Sequence, residues 1–96
     1  MKKPLSIGLI FGGRSPEHEV SIASARAIYR HLSQTEYRVY SIYITREGLW
    51  KQVSSPLVSD QELKEGQTYY FLPWSPARQQ IELKADVYFP VLHGPY

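Results

Sequence analysis

The sequence has no cysteine and only one methionine among its 96 residues. Without cysteine it can form neither a disulfide framework nor a thiolate metal site, which fits a reducing compartment. It also lacks any apolar run near the roughly 18 residues that a membrane-spanning helix needs. Lys2 and Lys3 precede an apolar run, as in a signal peptide, but that run is short and closes at Gly12 and Gly13. We therefore expect a cytoplasmic domain that does not bind membranes.

Charge and length set further bounds. Eleven Lys and Arg against 9 Asp and Glu give a net charge of +2, and no basic run forms a stripe for nucleic acid. We therefore expect no nucleic-acid partner. The 96 residues suffice for one small domain with a modest core. The glycines at positions 8, 12 and 13 do not follow the GxGxxG dinucleotide pattern, and a GxxxxGK[ST] P-loop does not occur.

The most informative stretch is Phe11 to Ser21, which reads FGGRSPEHEVS. It follows the apolar run Leu5 to Phe11, which predicts a buried parallel strand. The two glycines permit a tight turn, Ser15 is a suitable N-cap, and Pro16 then falls at the first helical position. The pattern predicts a strand, a turn and a helix N-terminus at the carboxyl edge of a sheet, where open α/β sheets bind ligands.

Helical spacing continues from about Pro16 to Leu32. We expect one face to pack on the sheet, and it collects mostly small and apolar residues: Val20, Ala23, Ser24, Ala27, Ile28 and Leu32. His31 falls on the same face, near the far end of the helix. Tyr37 to Thr45 predicts a second strand, and a strand-helix-strand unit implies a parallel pair with a right-handed crossover.

The pattern changes over residues 49–84, which we interpret as a β-rich insertion at the side of the sheet. It holds three short predicted strands, a loop over 54–66 with about one helical turn, and a proline-rich turn. The strands are Leu49 to Val53, Tyr69 to Leu72 and Gln80 to Leu83, and the turn is Pro73 to Pro76. Asp86 to Leu92 predicts a last buried strand, where Pro90 removes a ladder donor and favours an edge or a bulge.

Glu17 is the first candidate for chemistry. A carboxylate kept ionised by a helix N-terminus, beside a Gly-Gly turn, suits a ligand ammonium group. The same position also suits a surface carboxylate that only complements the helix dipole, and the spacing leaves both interpretations open. Arg14 and Ser15 offer anion contacts at the turn, although for Ser15 we favour a capping role.

His93 is the second candidate, because it follows the last predicted strand and should face the same edge as Glu17. An imidazole there could bind a carboxylate or phosphate or donate a proton, or it could be a loop histidine that bonds the backbone. The other two histidines are weaker candidates: His18 is interpreted as lying elsewhere on the helix and His31 as structural. Without short metal spacing, the three histidines predict no metal site.

Two segments together resemble the N-terminal region of the D-alanine–D-alanine ligases. That family's pattern is Gly-Gly, a variable pair, then small-Glu-x-Glu-Val-Ser, which residues 12–21 follow. Asp86 to Gly94, DVYFPVLHG, is similar to the family's strand that ends in His-Gly. The resemblance spans essentially the whole chain, and the β-rich insertion resembles the longer-insertion branch of the family.

The resemblance implies an α/β domain with a Rossmann-like, three-layer parallel sheet, called the pre-ATP-grasp domain, over residues 1–96. It implies an enzyme that joins two D-alanines at the expense of ATP and supplies the dipeptide for peptidoglycan. The carboxylate of the first D-alanine is phosphorylated, and the amine of the second attacks the acyl phosphate. Within that reaction Glu17 matches the residue that holds the first ammonium group, Val20 an apolar contact near it, and His93 a neighbour of the substrate and the transferring phosphate.

Ser21 also falls in the motif, and we assign it a helix role only. The family continues into two ATP-grasp domains that bind ATP and Mg²⁺ (or Mn²⁺), so we expect no nucleotide or metal ligand in this chain. The parent enzyme is expected to be a homodimer, and the 96 residues alone are expected to be inactive. Alternatives are a ligase whose second substrate is D-lactate or D-serine, a non-catalytic ligand-binding module without the ATP-grasp domains, and an unrelated flavodoxin-like interaction domain.

Overall fold

The computed structural model describes residues 4–14, 16–69 and 85–92. It contains five strands and two helices in these ranges. They are β1 (Ser6–Gly12), α1 (His18–Leu32), β2 (Arg38–Ile44), β3 (Trp50–Val53), α2 (Asp60–Lys64), β4 (Gln67–Tyr69) and β5 (Val87–Val91). The α/β class and the order of the elements agree with the sequence prediction. Of the predicted insertion, the turn at 73–76, the strand at 80–83 and all of the strand at 69–72 except Tyr69 lie outside the described residues. Tyr69 ends β4.

The strands form one sheet in the order β4-β3-β2-β1-β5. β1 pairs in parallel with β2, as predicted for a strand-helix-strand unit, and it also pairs in parallel with β5. β3 and β4 continue the same sheet in antiparallel pairing, because a short turn after β2 reverses the chain. The prediction of a parallel sheet therefore holds for β2-β1-β5, whereas the sheet as a whole is mixed. Phe11 is in register with Tyr43 and Val91, so the three parallel strands end at one edge.

The start of α1 differs from the prediction. Its N-cap is Glu17, no side chain caps it, and its first backbone bond runs from the Ser21 N–H to the Glu17 carbonyl oxygen at 2.8 Å. Pro16 lies in a turn before the helix and not at its first position, so the predicted cap-and-proline start was wrong. Ser15 itself lies outside the described residues.

The face that α1 turns towards the sheet also differs. Its buried residues are His18, Ser21, Ile22 and Ala25. Of the predicted packing face, Ile28 does pack against the core, and Ser24 and Leu32 are half-buried. Val20 is 40% exposed, and Ala23, Ala27 and His31 are exposed too, so the prediction was wrong for these four residues. The prediction followed apolar spacing, but two polar side chains of α1 bond the sheet and thereby set the rotation of the helix.

Both described helices pack on the same face of the sheet. The larger cluster of buried residues joins both helices to four strands: Leu9, Phe11, Ile22, Ala25, Tyr43, Val53, Leu63 and Val91. The opposite face carries a smaller cluster of Ile10, Ile42 and Ile44. Within the described ranges there is thus a sheet with one helical layer, and the second helical layer of the predicted three-layer domain is not among them.

Among the strands that the structure describes, β5 lies at the edge of the sheet, where Pro90 costs no central ladder bond. The prediction of an edge position is confirmed. Along the strand, however, only Val91 is buried, while Val87 and Phe89 are 47% and 49% exposed. The prediction of a buried strand was therefore wrong for these residues, because an apolar run does not show which strand has a neighbour on one side only.

Candidate functional site

The site is built around the glycine turn between β1 and α1. Gly12 and Gly13 have φ angles of 97° and 104°, values that residues with a Cβ rarely adopt. The Gly13 N–H donates to the carbonyl oxygen of Ile44 at 2.8 Å, which fastens the turn to the end of β2. A Cβ on Gly12 would overlap that same oxygen. The backbone can follow this path only with glycine at position 12.

His18 fastens the first turn of α1 to the glycine turn. It is 2% exposed, its Nδ1 lies 2.5 Å from the carbonyl oxygen of Gly13, and its Nε2 lies 2.8 Å from the Tyr43 hydroxyl. A carbonyl oxygen only accepts, so Nδ1 carries a proton, and in the neutral ring Nε2 accepts from the tyrosine. His18 therefore packs inside the fold as a structural contact, on the buried face of α1, whereas Glu17 is exposed. It lies elsewhere on the helix than Glu17, as interpreted from the sequence, but its burial was not predicted.

Ser21 connects α1 with two strands. Its side chain is completely buried, its Oγ accepts from the Gly12 N–H at 2.8 Å, and its hydroxyl donates to the carbonyl oxygen of Val91. These bonds go beyond the helix role assigned from sequence. The spacing of the sequence could have predicted that His18 and Ser21 act together. They are three residues apart, so the two polar side chains lie on one helix face.

Glu17, the main candidate, lies at the N-terminus of α1, directly after the glycine turn, and it is exposed. Val20, one turn along the helix, is 40% exposed at the same end. The structure thus brings Glu17 to the carboxyl edge of β1, β2 and β5, as predicted from the sequence. His93, two residues after the end of β5, lies outside the described residues.

Arg14, a candidate for anion contacts, has a hydrogen-bond partner in the structure, and its role in anion binding stays a prediction. Its guanidinium donates to the carbonyl oxygen of Glu47 at 3.0 Å, and it packs against Gly48 in the turn that follows β2.

Among the residues that the structure describes, no group of three or more His, Cys, Asp and Glu side chains is arranged to hold a metal ion. Neither helix of the described residues has the length and the apolar character that crossing a bilayer requires.

A cavity of about 390 Å³ lies between α1, α2 and the turn that follows β2. Its lining mixes acids and bases, including Glu19 and Arg46, which form an ion pair at 3.0 Å. His18 and Tyr43 form part of its wall, whereas Glu17 and Val20 do not line it.

Tyr43 provides a pH-dependent test of the buried pair with His18. Burial raises the pKa of its phenol above the usual value of 10.0, the carboxylate of Glu19 raises it further, and the guanidinium of Arg46 opposes part of the rise. Above pH 10 the unfolded chain loses this proton while the folded protein keeps it. The free energy of unfolding should therefore be intact below about pH 10 and fall as the pH rises further.

Tyr43→Phe should remove this contribution to the pH dependence, and at neutral pH it should also lower stability, because His18 loses its hydroxyl partner. Urea midpoints of both proteins between pH 7 and pH 11 measure the effect. The remaining tyrosines are common to both proteins, so they cancel in the comparison. Equal loss of stability by the two proteins above pH 10 would contradict the assignment.

Comparison of the sequence with known proteins identifies relatives that match almost the whole chain. The sequence profile described as D-ala D-ala ligase N-terminus matches residues 6–96. The bifunctional enzyme MurC/Ddl of Chlamydia trachomatis is 44% identical over 96% of this chain and 11% of its own length. The D-alanine–D-alanine ligase of Bacillus pumilus is 38% identical over 95% of this chain and 28% of its own length.

Solved structures agree with the sequence relatives. The D-Ala:D-Ser ligase VanG of Enterococcus faecalis superposes with a TM-score of 0.67 and 28% identity, over 94% of this chain and 29% of that protein. The D-alanine–D-alanine ligase of Coxiella burnetii gives a TM-score of 0.59 and 33% identity, over 71% of this chain and 21% of that protein. The chain thus spans less than a third of the length of these relatives. With its strand, glycine turn and helix matched across this region, the chain belongs to the D-alanine–D-alanine ligase family, as its N-terminal domain.

Proposed function

We propose that this domain is the first-substrate lobe of an ATP-dependent ligase that joins two D-alanines for peptidoglycan synthesis. The observation that carries the proposal is the position of Glu17. It is an exposed residue at a helix N-terminus, on a turn held by the buried side chains of His18 and Ser21, at the edge where three parallel strands end. The helix dipole favours the ionised carboxylate, and an ionised carboxylate pairs well with an ammonium group.

In this reaction Glu17 holds the ammonium group of the first D-alanine, and Val20 contributes an apolar contact near it. The carboxylate of that D-alanine takes the γ-phosphoryl group of ATP, and ADP leaves. The amine of the second D-alanine then attacks the acyl carbon, and phosphate leaves as the peptide bond forms. His93 matches the family residue beside the substrate and the transferring phosphate. The contribution of Glu17 is to fix the first substrate so that its carboxylate faces the phosphoryl donor.

The whole protein contains more than this lobe. ATP and Mg²⁺ (or Mn²⁺) would be held by two ATP-grasp domains outside this chain, and the metal would supply neutralisation of phosphate charge there. The lobe itself is a Rossmann-like, three-layer domain whose insertion covers residues 49–84, and the parallel β2-β1-β5 core supports this architecture. The protein is a cytoplasmic homodimer.

A second candidate is a ligase that adds D-serine instead of the second D-alanine. The similarity to the D-Ala:D-Ser ligase VanG supports it, because that protein superposes over 94% of this chain. Both candidates use the same first substrate, and therefore both assign the same role to Glu17.

The test uses the full-length protein that contains these residues, with ATP, Mg²⁺ and D-alanine. ADP release is followed by a coupled assay, and the dipeptide is identified by mass spectrometry. We expect ADP release that depends on D-alanine, with D-alanyl-D-alanine as the product. Faster turnover when D-serine or D-lactate is added would favour the corresponding second substrate, and ADP release that does not depend on D-alanine would overturn the proposal.

A further inference from the structure

We infer that Ser21 is a positioning residue for the proposed D-alanine site: its buried hydroxyl fixes the Glu17 end of α1 relative to the end of β5. The inference rests on the proposed function. It goes beyond that function because it assigns a role in substrate binding to a residue that does not itself reach the substrate.

One residue joins three elements at this point. The Ser21 Oγ accepts from the Gly12 N–H at 2.8 Å and donates to the carbonyl oxygen of Val91, the last residue of β5. The backbone N–H of Ser21 donates to the carbonyl oxygen of Glu17 at 2.8 Å. Ser21 is therefore hydrogen-bonded to Glu17, to the glycine turn before it and to the end of β5.

A hydroxyl suits this position because it donates and accepts at the same time. Gly12 offers a donor and Val91 an acceptor, and the Ser21 side chain between them is fully buried. Alanine would leave both backbone groups without that partner, and buried backbone groups rarely stay unpaired. The turn or the end of β5 would shift to find new partners, and a shift of about 1 Å in a positioning element can cost roughly 100-fold in activity.

The fold should persist without this hydroxyl. α1 is also held by the two hydrogen bonds of His18 and by Ile22 and Ala25, which are 4% and 0% exposed in the larger core cluster. We therefore expect Ser21→Ala to give a folded protein in which the Glu17 end of the helix is displaced. A role in binding is then distinguishable from a role in stability alone.

The experiment compares kinetic constants of the full-length protein and its variants. Ser21→Ala should raise the KM for D-alanine about 10- to 100-fold and leave the KM for ATP within about 2-fold. Ser24→Ala is the matched control, since Ser24 is half-buried on the same helix and its hydroxyl bonds no described residue. Ser21→Thr keeps the hydroxyl and should restore most of the affinity for D-alanine.

A double-mutant cycle with Glu17→Gln measures the coupling between the two residues in the KM for D-alanine. A loss of stability alone would not produce such a coupling. If Ser21 acts through Glu17, Ser21→Ala should change the KM for D-alanine much less once the carboxylate is gone. Independent, multiplicative effects of the two substitutions would contradict this coupling.

The outcomes separate the inference from the proposed function. If Ser21→Ala lowers only the melting temperature and leaves the KM for D-alanine unchanged, the inference is overturned, whereas wild-type activity still supports the function. Should Ser21→Ala not fold, Ser21→Cys decides, because a thiol is a weaker donor and acceptor; an unchanged KM would again overturn the inference. A wild-type protein without D-alanine-dependent ADP release would refute the proposed function itself, and the inference with it.

Discussion

Glu17→Gln in the full-length protein is expected to lower kcat/KM for D-alanine by about 30-fold or more. Removing the charge from one partner of an ion pair that becomes enclosed around a substrate costs roughly 2–5 kcal/mol, which corresponds to about 30-fold to several thousand-fold. Glutamine keeps the shape and one acceptor oxygen of the side chain, so the loss measures the charge. Steady-state kinetics with D-alanine as the varied substrate gives the value directly.

Glu19→Gln is the control for this variant. Glu19 lies in the first turn of the same helix, but its carboxylate pairs with Arg46 at 3.0 Å, and the two side chains are 69% and 53% exposed. An exposed ion pair contributes about 0–1 kcal/mol, so kcat/KM should change by no more than a few-fold. Similar losses in the two variants would show that the helix dipole or the net charge, and not an ammonium contact at Glu17, explains the effect.

Gly12→Ala is expected to cause the largest loss of stability, more than about 3 kcal/mol. Two costs add at this position. The φ of 97° is unfavourable for any residue with a Cβ. In addition, the new Cβ would overlap the carbonyl oxygen of Ile44, which is backbone and cannot rotate away. The turn must move, and its hydrogen bond from Gly13 to Ile44 is then lost.

Gly13→Ala separates these two costs. Its φ of 104° carries the same conformational penalty, but the nearest heavy atom to a new Cβ is Leu92 Cδ2 at 3.9 Å, an ordinary contact. We expect a loss of about 1–3 kcal/mol from the backbone conformation alone. Urea unfolding of the three full-length proteins under one set of conditions gives the comparison. Equal losses for the two substitutions would mean that the overlap with Ile44 has no cost.

Gly12→Ala and Glu17→Gln test different properties of the same turn. The glycine turn and the hydrogen bonds of His18 and Ser21 hold the start of α1 in place. Glu17 contributes the negative charge at that position. A substitution at Gly12 should therefore reduce the amount of folded protein, whereas one at Glu17 should leave folding intact and reduce turnover.

The sequence by itself determined the local elements. The apolar run near Leu5 to Phe11 and the β-rich run near Tyr37 to Thr45 predicted β1 and β2 within about one residue at each end. The order of strand, glycine turn and helix placed Glu17 at the carboxyl edge of the sheet. These features depend on residues close together in the chain, which is why periodicity and turn chemistry can predict them.

Only the tertiary structure decided which helix face is buried and what the motif's polar residues do. Apolar spacing placed Val20 and Ala27 towards the sheet, yet His18 and Ser21 are buried there instead. Their partners, the Tyr43 hydroxyl and the Val91 carbonyl, are 25 and 70 residues away in the chain. A buried polar side chain is stable only where such a partner meets it, and that meeting is a property of the packed sheet that no local pattern contains.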